Sequence, residues 1–153
     1  MILYLVRHGD AKREEEDHSR PLSESGIQAA NKLGAHLSGL NIKVDQIFHS
    51  DKLRARQTAE ILTEHLKPSR TTSETHGLAP LDDPKIWAVR LKDRTDALIL
   101  AGHLPHLCNL ASYLLCGNTE KNFISLKPAG MLCLQRTDDG MWFLRWMMSP
   151  EIL

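Results

Sequence analysis

The chain has 153 residues, 42% of them hydrophobic, and its 19 Lys and Arg balance 19 Asp and Glu. This length is typical of one domain with a sizeable core, so we expect residues 1–153 to form a single domain. The zero formal charge argues against a broad surface for nucleic acid or anionic membrane. No apolar stretch approaches the ~20 residues of a membrane span, and the first apolar run is too short for a signal peptide. We therefore expect a cytoplasmic protein.

The first predicted element is a buried strand that leads into a group of reactive side-chain types. Residues 2–6, Ile-Leu-Tyr-Leu-Val, are aliphatic and β-branched, which predicts that strand. Arg7, His8 and Gly9 follow at its exit, where ligands of open α/β sheets bind. Gly9 permits a sharp backbone turn or the close approach of a ligand. The trio is typical of a phosphoryl-transfer site, although an ordinary solvated strand end would look the same.

A polar loop and an amphipathic helix are predicted next. Residues 10–22 form the loop and contain the acidic run Glu-Glu-Glu-Asp at 14–17. This run predicts a solvated rim, or a surface that repels or selects substrates. Ser23 predicts the N-cap of a helix with apolar residues at three-and-four spacing, and Gly39 predicts its end.

A second strand over residues 45–49 precedes a second helix, which is opened by the segment 50–59. We expect Ser50 to cap this helix. Arg54 then lies in the first helical turn, where unpaired N–H groups and the positive end of the helix dipole reinforce an anion site. His49 also ends the second strand, but it is a weaker candidate for chemistry.

The rest of the chain predicts further alternation of strands and helices. A short helix is expected around residues 84–92, and residues 97–102 form a third buried strand that runs into His103 and another helix. The segments 131–136 and 142–147 flank Asp138-Asp139-Gly140, which predicts a hairpin. The expected fold is therefore an α/β three-layer sandwich. It has a mostly parallel central sheet, helices on both faces and an antiparallel C-terminal edge hairpin.

Three predicted strand ends together offer two arginines and two histidines. A phosphoryl group in transfer spreads negative charge over its peripheral oxygens, so catalysis needs an in-line nucleophile among fixed donors. Arg7 and Arg54 can supply forked, permanently charged donors, and His103 can supply another if protonated. From position alone, either His8 or His103 could attack phosphorus.

The chain resembles the histidine phosphatase superfamily, which includes the phosphoglycerate mutases, and within it the small SixA-type phosphohistidine phosphatases. The resemblance runs from residue 2 to about residue 150. Single motifs of this kind are weak, but their order and spacing together are specific. The motifs are Arg7-His8-Gly9-Asp10-Ala11, Arg20-Pro21-Leu22-Ser23-x-x-Gly26, Leu53-Arg54-Ala55-x-Gln57-Thr58, Gly102-His103-Leu104-Pro105 and Met148-Ser149-Pro150.

This resemblance implies a set of roles. His8 becomes phosphorylated, while Arg7, Arg54 and His103 hold the phosphoryl group, and neither a metal nor a cofactor is needed. Gly9 and Arg20 are further candidate site residues. The implied activity is a phosphatase that hydrolyses phosphohistidine on a partner protein, such as a histidine phosphotransfer domain.

Two departures from the larger relatives narrow the range of substrates that we expect. Leu104 follows His103 where some relatives carry a carboxylate. The other location offers Glu74, with Asp82 and Asp83 further on, but residues 77–80 place no carboxylate where the family pattern has one, so no general acid is assigned. A phosphoramidate needs such an acid less than an ester does. Only 49 positions separate Arg54 from His103, which predicts an open site that can admit a side chain of a folded partner.

Alternative functions stay open from the sequence. The chain could be a phosphatase of small phosphate monoesters or of other phosphoproteins, or a phosphate-binding module without turnover. A zinc site could be built from His103, His106 and Cys108, although their spacing across a proline is unfavourable. The three cysteines lack metal-ligand spacing and are expected to be reduced core residues.

Overall fold

The computed structural model describes residues 1–121 and 123–153. Over these residues the chain alternates between strands and helices in the predicted manner and ends in a 3-10 turn, Pro150–Ile152. The strands are β1 (Ile2–Arg7), β2 (Gln46–His49), β3 (Ser73–Glu74), β4 (Ala97–Gly102), β5 (Met131–Arg136) and β6 (Trp142–Met148). The helices are α1 (Glu24–Gly39), α2 (Leu53–Leu66), α3 (Lys85–Leu91) and α4 (His106–Cys116).

The strands form one mixed sheet in the order β3-β2-β4-β1-β5-β6. The pairs β2–β3, β2–β4 and β1–β4 are parallel, whereas β5 runs antiparallel to both β1 and β6. Gly140 has φ of +87° in the turn between β5 and β6, a conformation that favours glycine. The predicted fold class and its antiparallel edge hairpin are confirmed.

Helices cover both faces of the sheet and divide the core in two. On one face α1 and α2 pack through Leu33, Leu37 and Leu62 against the sheet. On the other face α3 and α4 pack through residues such as Trp87 and Leu107. Because both faces are covered, β1 and β4 are apolar almost throughout their length.

Most predicted helix boundaries agree with the structure. The Ser23 hydroxyl accepts a hydrogen bond from the Gly26 N–H at 3.1 Å, as expected of an N-cap, and α1 ends at Gly39. The short helix α3 lies within the predicted range. Strand β3 was not predicted, since two residues are too few to show a periodic pattern. None of the helices within 1–121 and 123–153 is long and apolar enough to cross a membrane.

Two expectations about local structure are wrong. Ser50 does not cap α2, because the N-cap is Lys52, whose side chain makes no capping bond. The Ser50 hydroxyl accepts from the N–H of Lys52 and lies 2.6 Å from the ring of His103. Cys108 and Cys133 are buried free thiols as expected, but Cys116 is exposed. Cys116 is the last residue of α4, beyond the face that packs on the sheet.

Strand register brings the functional segments to one edge. Arg7 at the end of β1 pairs with Gly102 of β4, and His49 at the end of β2 pairs with Ala101 of β4. The three strands are adjacent and parallel, so the residues that follow each of them emerge side by side. This edge is where open α/β sheets bind their ligands.

Candidate active site

Arg7, His8, Arg54 and His103 lie close together at the carboxyl edge of the sheet. The Arg7 guanidinium donates from Nη1 to the Leu126 carbonyl oxygen at 2.8 Å. Its Nε is buried without a hydrogen-bond partner among residues 1–121 and 123–153. Arg7 is thus anchored at one nitrogen and retains N–H groups for an anion.

His8 is held in one tautomer by its own backbone. Its Nδ1 lies 2.6 Å from the carbonyl oxygen of Gly9, and because a carbonyl only accepts, Nδ1 carries the proton. The lone pair therefore resides on Nε2, which accepts a hydrogen bond of 3.4 Å from the Nε of Arg54. An unprotonated imidazole nitrogen beside a guanidinium is the arrangement that a phosphorus-attacking nucleophile requires.

The surroundings of His8 keep its ring neutral. Burial lowers the pKa of His8 to about 4; the bond to Gly9 opposes this shift, and the charges of Arg54 and Arg7 add to it. At pH 7 the ring therefore carries no positive charge, and its Nε2 holds an unprotonated lone pair.

His103 faces His8, with 4.9 Å between the two ring centroids. Only 2% of His103 is exposed, and its Nε2 lies 2.6 Å from the Ser50 hydroxyl oxygen. Its Nδ1 is buried and has no partner among the described residues. Burial lowers the pKa of His103 to about 3, with further lowering by His8 and Arg54. At pH 7 the ring is therefore neutral in this structure, so His103 does not meet the condition of protonation under which the sequence made it a donor.

Arg54 is the second residue of α2, in the first helical turn as predicted. Burial lowers the pKa of Arg54, and the charge of Arg20 lowers it further. The charge of Arg20 also lowers the pKa of His8, so its guanidinium lies near both residues. Arg20 has a left-handed backbone (φ +47°) and donates from Nε to the Lys12 carbonyl at 3.2 Å.

Gly9 is required by close packing rather than by a turn. Its φ is not positive, so its backbone conformation does not itself call for glycine. A Cβ on Gly9 would lie 2.7 Å from the Gly26 carbonyl oxygen, and one on Gly26 would lie 2.0 Å from the Asp10 carbonyl oxygen. The two glycines therefore allow the loop after β1 to pack directly against the first turn of α1.

Two residues of the α2 motif fix the loop around His8, a role that sequence reasoning missed. Thr58 is fully buried; its Oγ1 accepts from the Gly9 N–H at 3.1 Å and donates to the Arg54 carbonyl at 2.7 Å. Gln57 accepts from the Leu22 N–H at 2.8 Å. Both residues belong to the motif quoted above, but apolar periodicity says nothing about polar contacts across the helix surface.

Carboxylates near the site make no hydrogen bond or ion pair with its central residues among the described residues. Asp51, Glu74 and Asp82 help to line a cavity of about 310 Å³, and the Asp51 charge acts on the ring of His103. Among the described residues, no carboxylate is hydrogen-bonded to Arg7, His8, Arg54 or His103. Residues 14–16 of the acidic run are exposed, Asp17 is partly buried, and the run forms local loop contacts, as expected of a solvated rim. A general acid is therefore not identified by contact.

The zinc alternative finds no support in the arrangement of side chains. No group of three or more His, Cys, Asp or Glu residues within 1–121 and 123–153 is placed to hold a metal ion. His103 bonds to Ser50 instead, and both ring nitrogens of His106 are buried without a partner in the described part of the chain.

Comparison with known proteins identifies the family of the chain. Residues 3–79 match the histidine phosphatase superfamily (branch 1). The chain belongs to this superfamily. This phosphatase is 34% identical to an uncharacterised protein of Picosynechococcus sp., over 97% of the chain and 99% of the relative.

Two further comparisons point to the SixA-type branch. The phosphatase is 26% identical to the phosphohistidine phosphatase SixA of Escherichia coli, over 98% of the chain and 94% of the relative. Its fold is similar to that of the protein histidine phosphatase SixA complexed with tungstate, with a TM-score of 0.87, 24% identity and 99% coverage of both chains. The likeness extends over the whole chain, including the part beyond the superfamily match.

Proposed function

We propose that this phosphatase hydrolyses phosphohistidine on a partner protein through a phosphorylated intermediate on His8. The observation that carries the proposal is the hydrogen bond from His8 Nδ1 to the Gly9 carbonyl, which leaves Nε2 unprotonated beside Arg54. The full-length similarity to SixA supports phosphohistidine as the substrate.

The proposed reaction has two displacement steps. In the first, the lone pair of His8 Nε2 forms a bond to phosphorus as the P–N bond to the substrate imidazole breaks. The leaving imidazole keeps that electron pair and takes a proton from solvent. In the second, the oxygen of a water molecule forms a bond to the phosphorus of phosphorylated His8, and the P–N bond returns its electrons to His8. The water releases one proton to solvent, which balances the proton taken up in the first step, and inorganic phosphate leaves.

The charge that develops on the phosphoryl oxygens is met by donors from the chain. Arg7 and Arg54 offer guanidinium N–H groups, and His103 offers a ring nitrogen. We propose Arg20 as a further phosphate contact, whereas Gly9, whose N–H donates to Thr58 and whose carbonyl accepts from His8, shapes the loop that carries the nucleophile. The guanidinium groups of Arg7, Arg54 and Arg20 supply the positive charge that a metal would otherwise bring, and we propose that turnover is metal-independent and cofactor-independent.

The nature of the leaving group favours phosphohistidine over esters. An imidazole protonated by solvent leaves readily, whereas an alkoxide needs a positioned acid. No carboxylate contacts the four central residues within the described part of the chain, which supports a phosphoramidate substrate. We propose that the substrate histidine projects from a folded partner, such as a histidine phosphotransfer domain, into the candidate active site. We propose further that residues 1–153 form a single domain and that the two proteins meet in the cytoplasm.

A second candidate function is the hydrolysis of small phosphate monoesters. The carboxylates of Asp51, Glu74 and Asp82 share one cavity, and the Asp51 charge acts on His103. One of these groups could protonate an ester oxygen if the substrate extended into that cavity. This candidate predicts loss of ester turnover on Glu74→Gln, with phosphohistidine turnover retained.

The proposed intermediate can be trapped directly. After brief exposure to a radiolabelled phosphodonor and a denaturing quench, the wild type should carry a base-stable, acid-labile phosphate. The variant His8→Ala should carry none and should lose at least ~10³-fold in turnover. As a matched control, His36→Ala changes an exposed histidine of α1 and should label normally. Retained labelling in His8→Ala with loss in His103→Ala would reverse the two roles.

Substrate class is tested by comparing four substrates at one pH. Values of kcat/KM are measured for a phosphorylated phosphotransfer domain, free phosphohistidine, a phosphoserine peptide and 3-phosphoglycerate. We expect the phosphorylated domain to be the best substrate, with the preference visible in kcat as well as in KM. Best turnover of 3-phosphoglycerate would replace the proposed function with the monoester alternative.

A further inference from the structure

Ser50 is held rigidly at the edge of the sheet by its backbone neighbours. Its N–H donates to the Ala101 carbonyl at 3.2 Å, which continues the ladder between β2 and β4. Its carbonyl accepts from the Nδ1 of His49 at 2.8 Å. Only 1% of Ser50 is exposed. The position of its hydroxyl is therefore set by the fold, three residues before the first residue of α2.

The hydrogen-bond partners of that hydroxyl decide which way its proton points. The Ser50 Oγ accepts a bond of 3.3 Å from the Lys52 N–H and lies 2.6 Å from Nε2 of His103. Among the described residues, these are its contacts within hydrogen-bond distance. If the hydroxyl donates to Nε2, its proton and the ring lone pair are both satisfied. If Nε2 donates instead, the hydroxyl proton is left buried without an acceptor, which is unfavourable.

The first arrangement places the proton of a neutral His103 ring on Nδ1. That nitrogen is buried, lacks a partner among residues 1–121 and 123–153, and belongs to a ring 4.9 Å from the ring of His8. A neutral imidazole with Nδ1–H can donate to a phosphoryl oxygen. The other tautomer would present a lone pair from Nδ1 to the same oxygen and repel it.

We propose that Ser50 is a positioning residue that holds His103 in the Nδ1–H tautomer, so that a neutral His103 donates a hydrogen bond to the transferred phosphoryl group. The inference rests on the proposed function only for the identity of the acceptor. The tautomer itself is a property of the folded chain. Ser50 thereby makes His103 a donor at pH values where the ring is not protonated.

The tautomer is measured by long-range ¹H–¹⁵N correlation spectra of ¹⁵N-histidine-labelled protein. The wild type should give the Nδ1–H pattern for His103. Ser50→Ala should give a mixture of tautomers, and Ser50→Thr, which keeps the hydroxyl, should restore the pattern. Ser112→Ala is the matched control. Ser112 is a buried serine of α4, and its hydroxyl donates to the Lys121 carbonyl instead of to a histidine.

Kinetics then link the tautomer to turnover. Ser50→Ala should reduce kcat on the order of tenfold, in line with the loss of a group that orients a reacting neighbour, while Ser50→Thr and Ser112→Ala remain near wild type. An Nε2–H pattern in the wild type overturns the proposal whatever the variants do. An unchanged tautomer or unchanged kcat in Ser50→Ala overturns it as well. Failure of the proposed function would appear separately, as an unlabelled His8 with the Nδ1–H pattern intact.

Discussion

Lowering the pH from 7 to 5 should destabilise this fold through the imidazoles of its own candidate site. The pKa values of His8 and His103 in the folded chain are about 4 and about 3, because burial disfavours their charged forms. In the unfolded chain both return to about 6.5. The unfolded state therefore binds protons that the folded state excludes. Their contribution to stability is fully present above pH 6.5 and is lost as the pH falls towards 4 and 3.

The size of the effect follows from these values. Each of these imidazoles lowers the free energy of unfolding by about 1.4 kcal/mol per pH unit below 6.5, or by roughly 2 kcal/mol at pH 5. Two groups together remove roughly 4 kcal/mol, a large share of the ~5–15 kcal/mol that stabilises a typical domain. Burial also lowers the pKa of His106, which acts in the same direction.

Urea denaturation at pH 7 and pH 5 measures this loss. We expect His8→Gln to lose roughly 2 kcal/mol less than the wild type between the two pH values, because the glutamine does not titrate. Comparing the two pH values within one protein cancels the constant effect of the substitution. His36→Gln on the exposed surface of α1 is the matched control. Equal losses in His8→Gln and the wild type would refute the account of His8 as a neutral buried imidazole.

Three further predictions concern the donors and their support. Arg54→Lys should reduce kcat/KM on the order of 10²-fold, because an ammonium replaces a planar fork; near-wild-type kinetics would place Arg54 outside the phosphate site. Chelation with EDTA should leave turnover unchanged and vanadate should inhibit competitively, whereas activity lost to EDTA and restored by zinc would revive a metal mechanism. Thr58→Val should lower the free energy of unfolding, measured by urea denaturation, by about 1–3 kcal/mol and should also lower kcat, because it leaves the buried Gly9 N–H unpaired. Thr63→Val, a control in the same helix, should leave kcat unchanged.

The sequence predicted the strand ends well because their signals are local. The apolar runs that become β1 and β4 are followed directly by Arg7 and by His103. The carboxyl ends of neighbouring parallel strands lie at the same edge of the sheet, so these residues come together there. The family motifs named the four central residues. What they could not give was the protonation of His103, since its pKa depends on burial by elements distant in sequence.

Polar contacts across the fold were the other gap. Ser50 was expected to cap α2 on the strength of its position alone, yet its hydroxyl bonds to a histidine 53 residues further along the chain. Thr58 and Gln57 appeared only as motif letters, and their partners Gly9 and Leu22 lie 49 and 35 residues away. Such contacts become predictable only when strand order and helix placement are known.

The bond between the His8 ring and the carbonyl of the next residue also has an entropic consequence. A side chain held at 2.6 Å to its own backbone has given up its rotational freedom during folding, before any substrate arrives. Arg7, tied to the Leu126 carbonyl, is restrained in the same way. The conformational entropy of these reacting groups is therefore lost when the chain folds and lowers the stability of the fold. Little further entropy is lost when the transition state is reached.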